Sequence, residues 1–230
     1  MQVFTEQGGC ITLPQPFTRG SEADLFRIGG YVAKIFNDTV DLSAKEKKLK
    51  HLIRRGVPNS LRGNIAWPIE MLYDSNDNMV GYLMLDMGPL RKLREITSFP
   101  AIEDAPLTAD TGYSLQWLAC YKLSKVMDKL HEEGLIVADL NCDQIAFKKD
   151  GVEPVIFDLD GFHLGSGDLK AVGLVPEYSL PDLLYILRDY NGGFENYDDG
   201  ATFSTTSDDF ALAIHLYALL QNGAHPFHTK

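Results

Sequence analysis

Apolar and polar residues alternate along the first part of the chain, which is the period of a half-buried strand. The alternation predicts an antiparallel hairpin with Gly29 and Gly30 as its two-residue turn, and two further strands on either side of a polar turn at 74–78. The strands before and within this hairpin are expected at 11–13, 25–28 and 31–36. We therefore expect a small antiparallel sheet near the start of the chain.

Helical spacing of apolar residues appears between and after these strands. A first helix is predicted at 43–55, where Ser43 and Glu46 have the spacing of a capping box. A second helix is predicted at 114–131 from its apolar stripe. A third, at 207–220, is apolar nearly all round, so we expect it to be buried on all sides. Between these helices we expect an irregular linker with one short helix at 88–110 and an inserted mobile loop at 188–206.

Two aspartates follow apolar elements in the middle of the chain. Asp139 comes after a short apolar run, and Asp158 comes after a predicted hairpin of strands 145–147 and 155–157. Either aspartate alone could merely cap a turn. Because the hairpin fixes their separation, both carboxylates can point into one site, where one orients a hydroxyl and the other holds a divalent metal. The pair indicates phosphoryl-transfer chemistry.

Lys34 lies in the apolar strand V-A-K-I-F, where an ammonium group is costly unless a carboxylate compensates it. Glu46 is the only acid in helix 43–55 and shares a helical face with Leu49 and Ile53, which we expect to point inward. Two interpretations of Glu46 stay open at this point. It either satisfies the helix cap or pairs with Lys34, and a small shift of the helix start would allow both.

The overall charge excludes some partners. The 230 residues include 32 acids and 21 bases, a net charge of −11, which argues against binding to nucleic acids or anionic membranes. Three cysteines without C-x-x-C spacing suggest neither a disulfide framework nor a zinc site, so a cytoplasmic location is expected. No apolar run approaches the roughly 20 residues that a membrane-spanning helix needs.

Several motifs resemble those of protein kinases. V-A-D-L-N-C-D-Q and D-L-D are similar to the kinase catalytic loop H-R-D-L-x-x-x-x-N and the metal-binding D-F-G. F-T-R-G-S-E-A-D-L-F resembles a glycine-poor version of the glycine-rich loop. V-P-E-Y-S-L-P-D-L and S-D-D-F-A-L-A…G-A-H-P-F resemble bacterial kinase-like proteins, some of which carry a C-terminal helix-hairpin-helix region. The resemblance covers essentially the whole chain, with a reduced or truncated large lobe.

This resemblance implies an α+β, bilobal protein-kinase-like fold. Residues 1–87 would form a small antiparallel β lobe with one helix, and residues 88–230 a mainly helical lobe with the catalytic loop and the metal-binding segment. ATP and Mg²⁺ would bind between the lobes. In kinases an aspartate of the central helix bonds the backbone of the catalytic loop, and Asp208 stands at that position.

The resemblance also assigns roles to individual residues. Lys34 would hold the α- and β-phosphates of ATP, Glu46 would orient Lys34, and Asp139 would take or orient the proton of the acceptor hydroxyl. Asp158 would carry Mg²⁺, with Gln144 at the position of the metal-binding asparagine but one methylene longer. The remaining nucleotide contacts implied are Gly20, Ser21, Glu22, Met84, Leu85 and Met87.

The function expected from these features is that of an ATP-dependent phosphotransferase. The favoured interpretation is a bacterial-type Ser/Thr protein kinase. Its phosphate acceptor would be the hydroxyl of a Ser or Thr residue in a protein. Two alternatives stay open because of Gln144 and the glycine-poor loop. One is a pseudokinase that binds a nucleotide or partner without turnover, and the other is a kinase for a small molecule.

Overall fold

A computed structural model describes residues 1–38, 40–97, 113–149, 152–165, 169–171, 174–184 and 203–227. The chain divides into two compact units, which we name the β unit (1–62 with 66–87) and the helical unit (63–65 with 88–230). Three expected segments lie wholly or largely outside the described residues. They are the part of the expected linker that follows residue 97, the turn at 150–151 and most of the expected loop at 188–206.

The β unit is one antiparallel sheet of seven strands and one helix, in the order β2-β1-β6-β7-β5-β4-β3. The hairpin turn at Gly29 and Gly30 is confirmed, whereas the sequence pattern missed β1 and the very short β3. The elements are β1 Gln2–Thr5, β2 Cys10–Thr12, β3 Thr18–Arg19, β4 Ala23–Ile28, β5 Tyr31–Phe36, α1 Leu42–Arg55, β6 Pro68–Tyr73 and β7 Met79–Leu85.

The two faces of this sheet bury different side chains. Because side chains alternate along a strand, Ala33 and Ile35 of β5 point into an apolar core, while Lys34 points to the opposite face. Lys34 is paired in register with Tyr82, and Val32 is paired with Met84, so Lys34 and Met84 share that face. The apolar core consists of Val3, Leu13, Phe26, Ala33, Ile35, Leu72 and Leu83.

Helix α1 begins one residue earlier than predicted, and the predicted capping box is wrong. Asp41 is the N-cap, because its side chain accepts the main-chain N–H of Ser43. This places Glu46 beyond the first turn, where it pairs with Lys50 at 2.6 Å. Hydrogen bonds from Ser43 lower the pKa of Asp41, as expected for a carboxylate at a helix start. The predicted end of the helix at Gly56 is confirmed.

The helical unit combines helices with a three-stranded antiparallel sheet of order β10-β9-β8. Strand β8 lies inside the expected linker, and the short helix predicted there follows it directly as α2. The predictions of α3 and of the β9–β10 hairpin are confirmed to within one residue at each end. The elements are β8 Leu90–Lys92, α2 Leu93–Thr97, α3 Tyr113–Glu132, β9 Ile145–Lys148, β10 Pro154–Ile156 and α4 Thr205–Leu220.

The prediction that the last helix is buried on all sides is wrong. Helix α4 buries one side, which includes Asp208 and His215, but Asp209, Ala213 and Tyr217 form an exposed stripe four residues apart. Among the described elements, α2, α3 and the turn Pro176–Tyr178 make the main contacts with α4. These contacts cover one side of the helix and leave the stripe exposed. In the described ranges, no helix has the length and apolar content to span a membrane.

Gly81 allows β7 to pass close to β5 at the strand that carries Lys34. A Cβ at position 81 would overlap the main-chain oxygen of Lys34 and lie 3.0 Å from Cα of Ile35. We expect Gly81→Ala to lower the free energy of unfolding by about 1–3 kcal/mol, measured by denaturant titration, because the backbone must move. In the matched variant Gly30→Ala the new methyl group meets no atom within 4 Å, so little change is expected. Equal stabilities of the two variants would contradict the close approach.

Candidate functional site

The segment before Asp139 is anchored by a fully buried carboxylate on α4. Asp208 has no exposed surface, and its two oxygens accept the main-chain N–H groups of Val137 at 2.8 Å and Ala138 at 2.9 Å. A buried carboxylate needs such donors to offset the loss of water. The predicted contact between Asp208 and the backbone of the catalytic loop is therefore confirmed.

His131, near the end of α3, completes the surroundings of Asp208. Its Nε2 lies 3.0 Å from Asp208 Oδ2, and its Nδ1 lies 3.9 Å from Asp209 Oδ1. The hydrogen bond with Asp208 raises the pKa of His131, although partial burial opposes this shift. Sequence reasoning missed this role, since helical spacing does not reveal which element a residue at a helix end will meet.

Unfavourable backbone conformations occur directly at the two predicted aspartates. Ala138, which precedes Asp139, has φ 68°, and Asp158 itself has φ 69°. The left-handed region costs a residue other than glycine about 1–2 kcal/mol. Such strain is retained where the surrounding structure enforces it, and it concentrates at functional sites.

The carboxylate of Asp139 is held in a defined orientation. Its Oδ1 accepts the main-chain N–H of Val175 at 2.8 Å, and its Oδ2 accepts the side-chain amide N–H of Asn141 at 3.1 Å. Two donors from different parts of the chain therefore fix the position of this carboxylate. Sequence reasoning missed both Asn141 and Val175, the second of which is 36 positions away along the chain.

A main-chain contact joins Gln144 to the residue that precedes Asp158. The carbonyl oxygen of Gln144 accepts the N–H of Phe157 at 3.0 Å, and Phe157 immediately precedes Asp158. The Gln144 side chain is only 7% exposed, and its Oε1 has no hydrogen-bond partner among the described residues. Leaving a buried acceptor unsatisfied costs about 1–3 kcal/mol.

This arrangement fits a magnesium ion. Mg²⁺ prefers oxygen ligands and is usually held by one or two protein groups together with phosphates and water. The amide oxygen of Gln144, which has no hydrogen-bond partner among the described residues, and the carboxylate of Asp158, the residue after Phe157, are oxygen groups of this kind. Within the described ranges, no group of three or more His, Cys, Asp and Glu side chains is arranged to hold a metal ion.

In the β unit, Lys34 is buried beside two aromatic rings. Its Nζ lies 5.3 Å from the ring centre of Phe36 and 5.8 Å from that of Tyr82. Contacts of a cation with ring faces offset part of the cost of burying the ammonium group. Met84, one of the predicted nucleotide contacts, is also buried and lies on the same face of the sheet.

The loop at 20–22 is closed by residues that the sequence reasoning did not consider. The Asn37 side chain donates to the main-chain oxygens of Gly20 at 3.2 Å and Ser21 at 2.9 Å. Glu22 pairs with Lys45 of α1 at 2.9 Å. Gly20 has little space for a side chain, because a Cβ there would lie 2.9 Å from the main-chain oxygen of Ala23.

Three other predicted residues of the β unit, Glu46, Leu85 and Met87, are half-buried or exposed. Glu46 pairs with Lys50 on its own helix, so the predicted Lys34–Glu46 pair stays a prediction. Leu85 is the exposed last residue of β7, opposite Tyr31, and Met87 is half-buried two residues later. Between them, Asp86 pairs with Arg27 at 2.6 Å.

Solved protein kinases share this fold. A rhoptry kinase from Toxoplasma gondii matches with a TM-score of 0.65, and the Toxoplasma gondii specific rhoptry antigen kinase domain and the ROP18 kinase domain in complex with AMP-PNP and sucrose each match with 0.63. All three are 14% identical and are matched over 95% of this chain. The chain spans about two thirds of their length, namely 64%, 68% and 66%.

No protein-family profile and no curated protein sequence matches the chain. At 14% identity, the structural similarity shows the fold alone. The expected α+β protein-kinase-like fold, with an antiparallel β lobe and a mainly helical lobe, is confirmed.

We expect the contribution of His131 to stability to depend on pH. Its pKa is raised in the folded state, so the stabilisation is fully present below its ordinary pKa of 6.5 and is lost as pH rises through the raised value. His131→Gln should therefore lower the free energy of unfolding by about 1–3 kcal/mol near pH 5.5 and by clearly less near pH 8.5.

Denaturant titrations of the wild type and the variant at both pH values measure this difference. His51→Gln, at an exposed position of α1, is the matched control and should have little effect at either pH. A loss of stability in His131→Gln that is the same at both pH values would show that His131 acts through packing and not through its charge.

Proposed function

We propose that the chain is an ATP-dependent phosphotransferase, and specifically a bacterial-type Ser/Thr protein kinase. The observation that carries the proposal is the buried Oε1 of Gln144, which lacks a partner among the described residues and stands next to the segment that ends at Asp158. An unsatisfied acceptor in this position is explained if a ligand completes it. The kinase-like fold supports phosphate transfer as the chemistry.

Asp139 acts on the acceptor in this proposal. Its carboxylate is fixed by Val175 and Asn141, so it does not need to reorient when an acceptor arrives. A Ser or Thr hydroxyl of a protein would donate its proton to Asp139, which aligns the hydroxyl oxygen for attack on the γ-phosphorus. The Asp208 contacts to Val137 and Ala138 hold the preceding backbone during this step.

Several residues are assigned to the nucleotide and its metal ion in this proposal. Asp158 and Gln144 would hold Mg²⁺, which when bound neutralises charge on the phosphates. Lys34 would bind the α- and β-phosphates, with Glu46 as its orienting partner, and Met84 and the segment Leu85 to Met87 would contact the adenine. One of the similar solved structures, the ROP18 kinase domain, is a complex with AMP-PNP, which supports ATP as the donor.

A pseudokinase is the second candidate. The loop at 20–22 is tied to Asn37 and Lys45 and has fewer glycines than a loop that wraps phosphates closely. Gln144 also departs from the usual asparagine. A chain of this kind would bind a nucleotide or a partner without turnover, so nucleotide binding and phosphate transfer have to be measured separately.

We expect millimolar MgATP to raise the melting temperature of the full chain by several degrees, since a ligand at 100 times its Kd stabilises by about 2.7 kcal/mol. Lys34→Met should abolish the shift, whereas Lys125→Met, at an exposed position of α3, should retain it.

Asp139→Asn should also retain the shift but lose radiolabel transfer to the chain itself or to a generic protein acceptor. A wild type without any shift would refute the proposal, and binding without transfer to any acceptor would favour the pseudokinase.

We expect Gln144→Ala to raise the Mg²⁺ concentration needed for the ATP-induced melting shift and to slow transfer, because the substitution removes one oxygen ligand. Magnesium titrations at constant ATP measure the change. Gln116→Ala is a matched control, because Gln116 is 6% exposed and its side chain pairs with Asn222. If Gln144→Ala requires no more Mg²⁺ than Gln116→Ala, then Gln144 is not a ligand.

A further inference from the structure

Two exposed basic side chains lie against the catalytic loop of the helical unit. Lys92, at the end of β8, places its Nζ 3.7 Å from Asp143 Oδ1, and Arg94 of α2 contacts Asp143 Oδ2 through its guanidinium group. The main-chain N–H of Arg94 also donates to the oxygen of Cys142 at 3.3 Å. We name Lys92 and Arg94 the cationic pair.

One side chain connects Asp143 to Asp139. Asn141 accepts the main-chain N–H of Asp143 with its Oδ1 at 2.9 Å and donates from its Nδ2 to Asp139 Oδ2 at 3.1 Å. The cationic pair is therefore joined to the carboxylate assigned to the acceptor hydroxyl through Asp143 and Asn141, within the helical unit. An acceptor whose hydroxyl reaches Asp139 would bring its neighbouring residues near this pair.

The charge at this cluster is opposite to that of the chain as a whole. Lys92, Arg94 and Asp143 together carry two positive charges and one negative charge, in a chain with a net charge of −11. The Lys92 and Arg94 side chains are 47% and 63% exposed, so both are accessible from solvent. A guanidinium group carries five N–H donors in a planar arrangement that matches carboxylates, so Arg94 can bind a carboxylate of another chain in addition to its contact with Asp143.

We propose that the cationic pair binds acidic residues of a polypeptide acceptor next to the hydroxyl that is presented to Asp139. The pair selects acceptors by charge, and the inference rests on the proposed function for the identity of the hydroxyl. The opposing explanation is that Lys92 and Arg94 only fasten β8 and α2 to the catalytic loop. The two explanations differ in what Asp143 does: it competes with the acceptor in the first and supports the loop in the second.

Binding can be measured without any turnover. The probes are two fluorescein-labelled peptides of about twelve residues with a central Ser, one flanked by Asp and Glu and the other by Lys and Arg, added to the full chain at low salt. We expect the acidic peptide to bind more tightly. Because an exposed ion pair contributes about 0.2–1 kcal/mol, Lys92→Gln and Arg94→Gln should each weaken its binding by roughly 1.4-fold to 5-fold.

Lys125→Gln is the matched control, since Lys125 is 55% exposed and also paired, with Asp128. It should leave binding of the acidic peptide unchanged. Asp143→Asn separates the two explanations, because removing the competing carboxylate should strengthen binding of the acidic peptide in our proposal. If the pair is only a fastening, Asp143→Asn should weaken binding or leave it unchanged and should lower the denaturant midpoint as Arg94→Gln does.

The outcomes are distinct from those that test the proposed function. Equal binding of the two peptides, or binding of the acidic peptide that Lys92→Gln and Arg94→Gln do not weaken, overturns the role of the cationic pair even if MgATP raises the melting temperature. Preferential binding of the acidic peptide with the expected response to Arg94→Gln and Asp143→Asn supports this surface even if the chain shows no response to MgATP.

Discussion

The candidate site around Asp139 depends on the hydrogen bonds that the buried carboxylate of Asp208 accepts. This carboxylate accepts two main-chain N–H groups from Val137 and Ala138 and contacts His131, so three groups from two segments offset the loss of water around one charge. Removing a partner from such a cluster leaves the others buried and unsatisfied, which costs more than a surface contact does. The left-handed conformation of Ala138 is held by this same cluster.

Helix α4 extends this support beyond Asp208. His215 lies seven residues later on the same buried side, and its Nε2 is 2.9 Å from the main-chain oxygen of Leu140, directly after Asp139. Burial lowers the pKa of His215 to about 4, so the ring stays neutral near pH 7 and can donate from Nε2. Its ring also stacks on Tyr178 at 4.6 Å. One helix thus supports both the catalytic loop and the turn Pro176–Tyr178.

The two units carry different chemical groups. The β unit buries a cation, Lys34, between aromatic rings, whereas the helical unit collects acceptor oxygens from Asp139, Gln144 and Asp158. Buried cations suit the binding of phosphates, and carboxylate and amide oxygens suit metal ions and hydroxyl protons. The net charge of −11 would repel a polyanion. Any phosphate group would therefore have to be held by local contacts, because the summed field of the chain does not attract it.

Local periodicity was enough to predict seven of the ten described strands, the turn at Gly29 and Gly30 and the length of α3, because these depend on residues close together in the chain. The order of the motifs further predicted the kinase-like fold and the contact of Asp208. Only the tertiary structure showed that Asn141 and Val175 hold Asp139, that Asp143 contacts the cationic pair and that one side of α4 is exposed. The physical reason is that a hydrogen bond across 36 or 71 positions depends on the path of the folded chain, which spacing along the sequence does not encode.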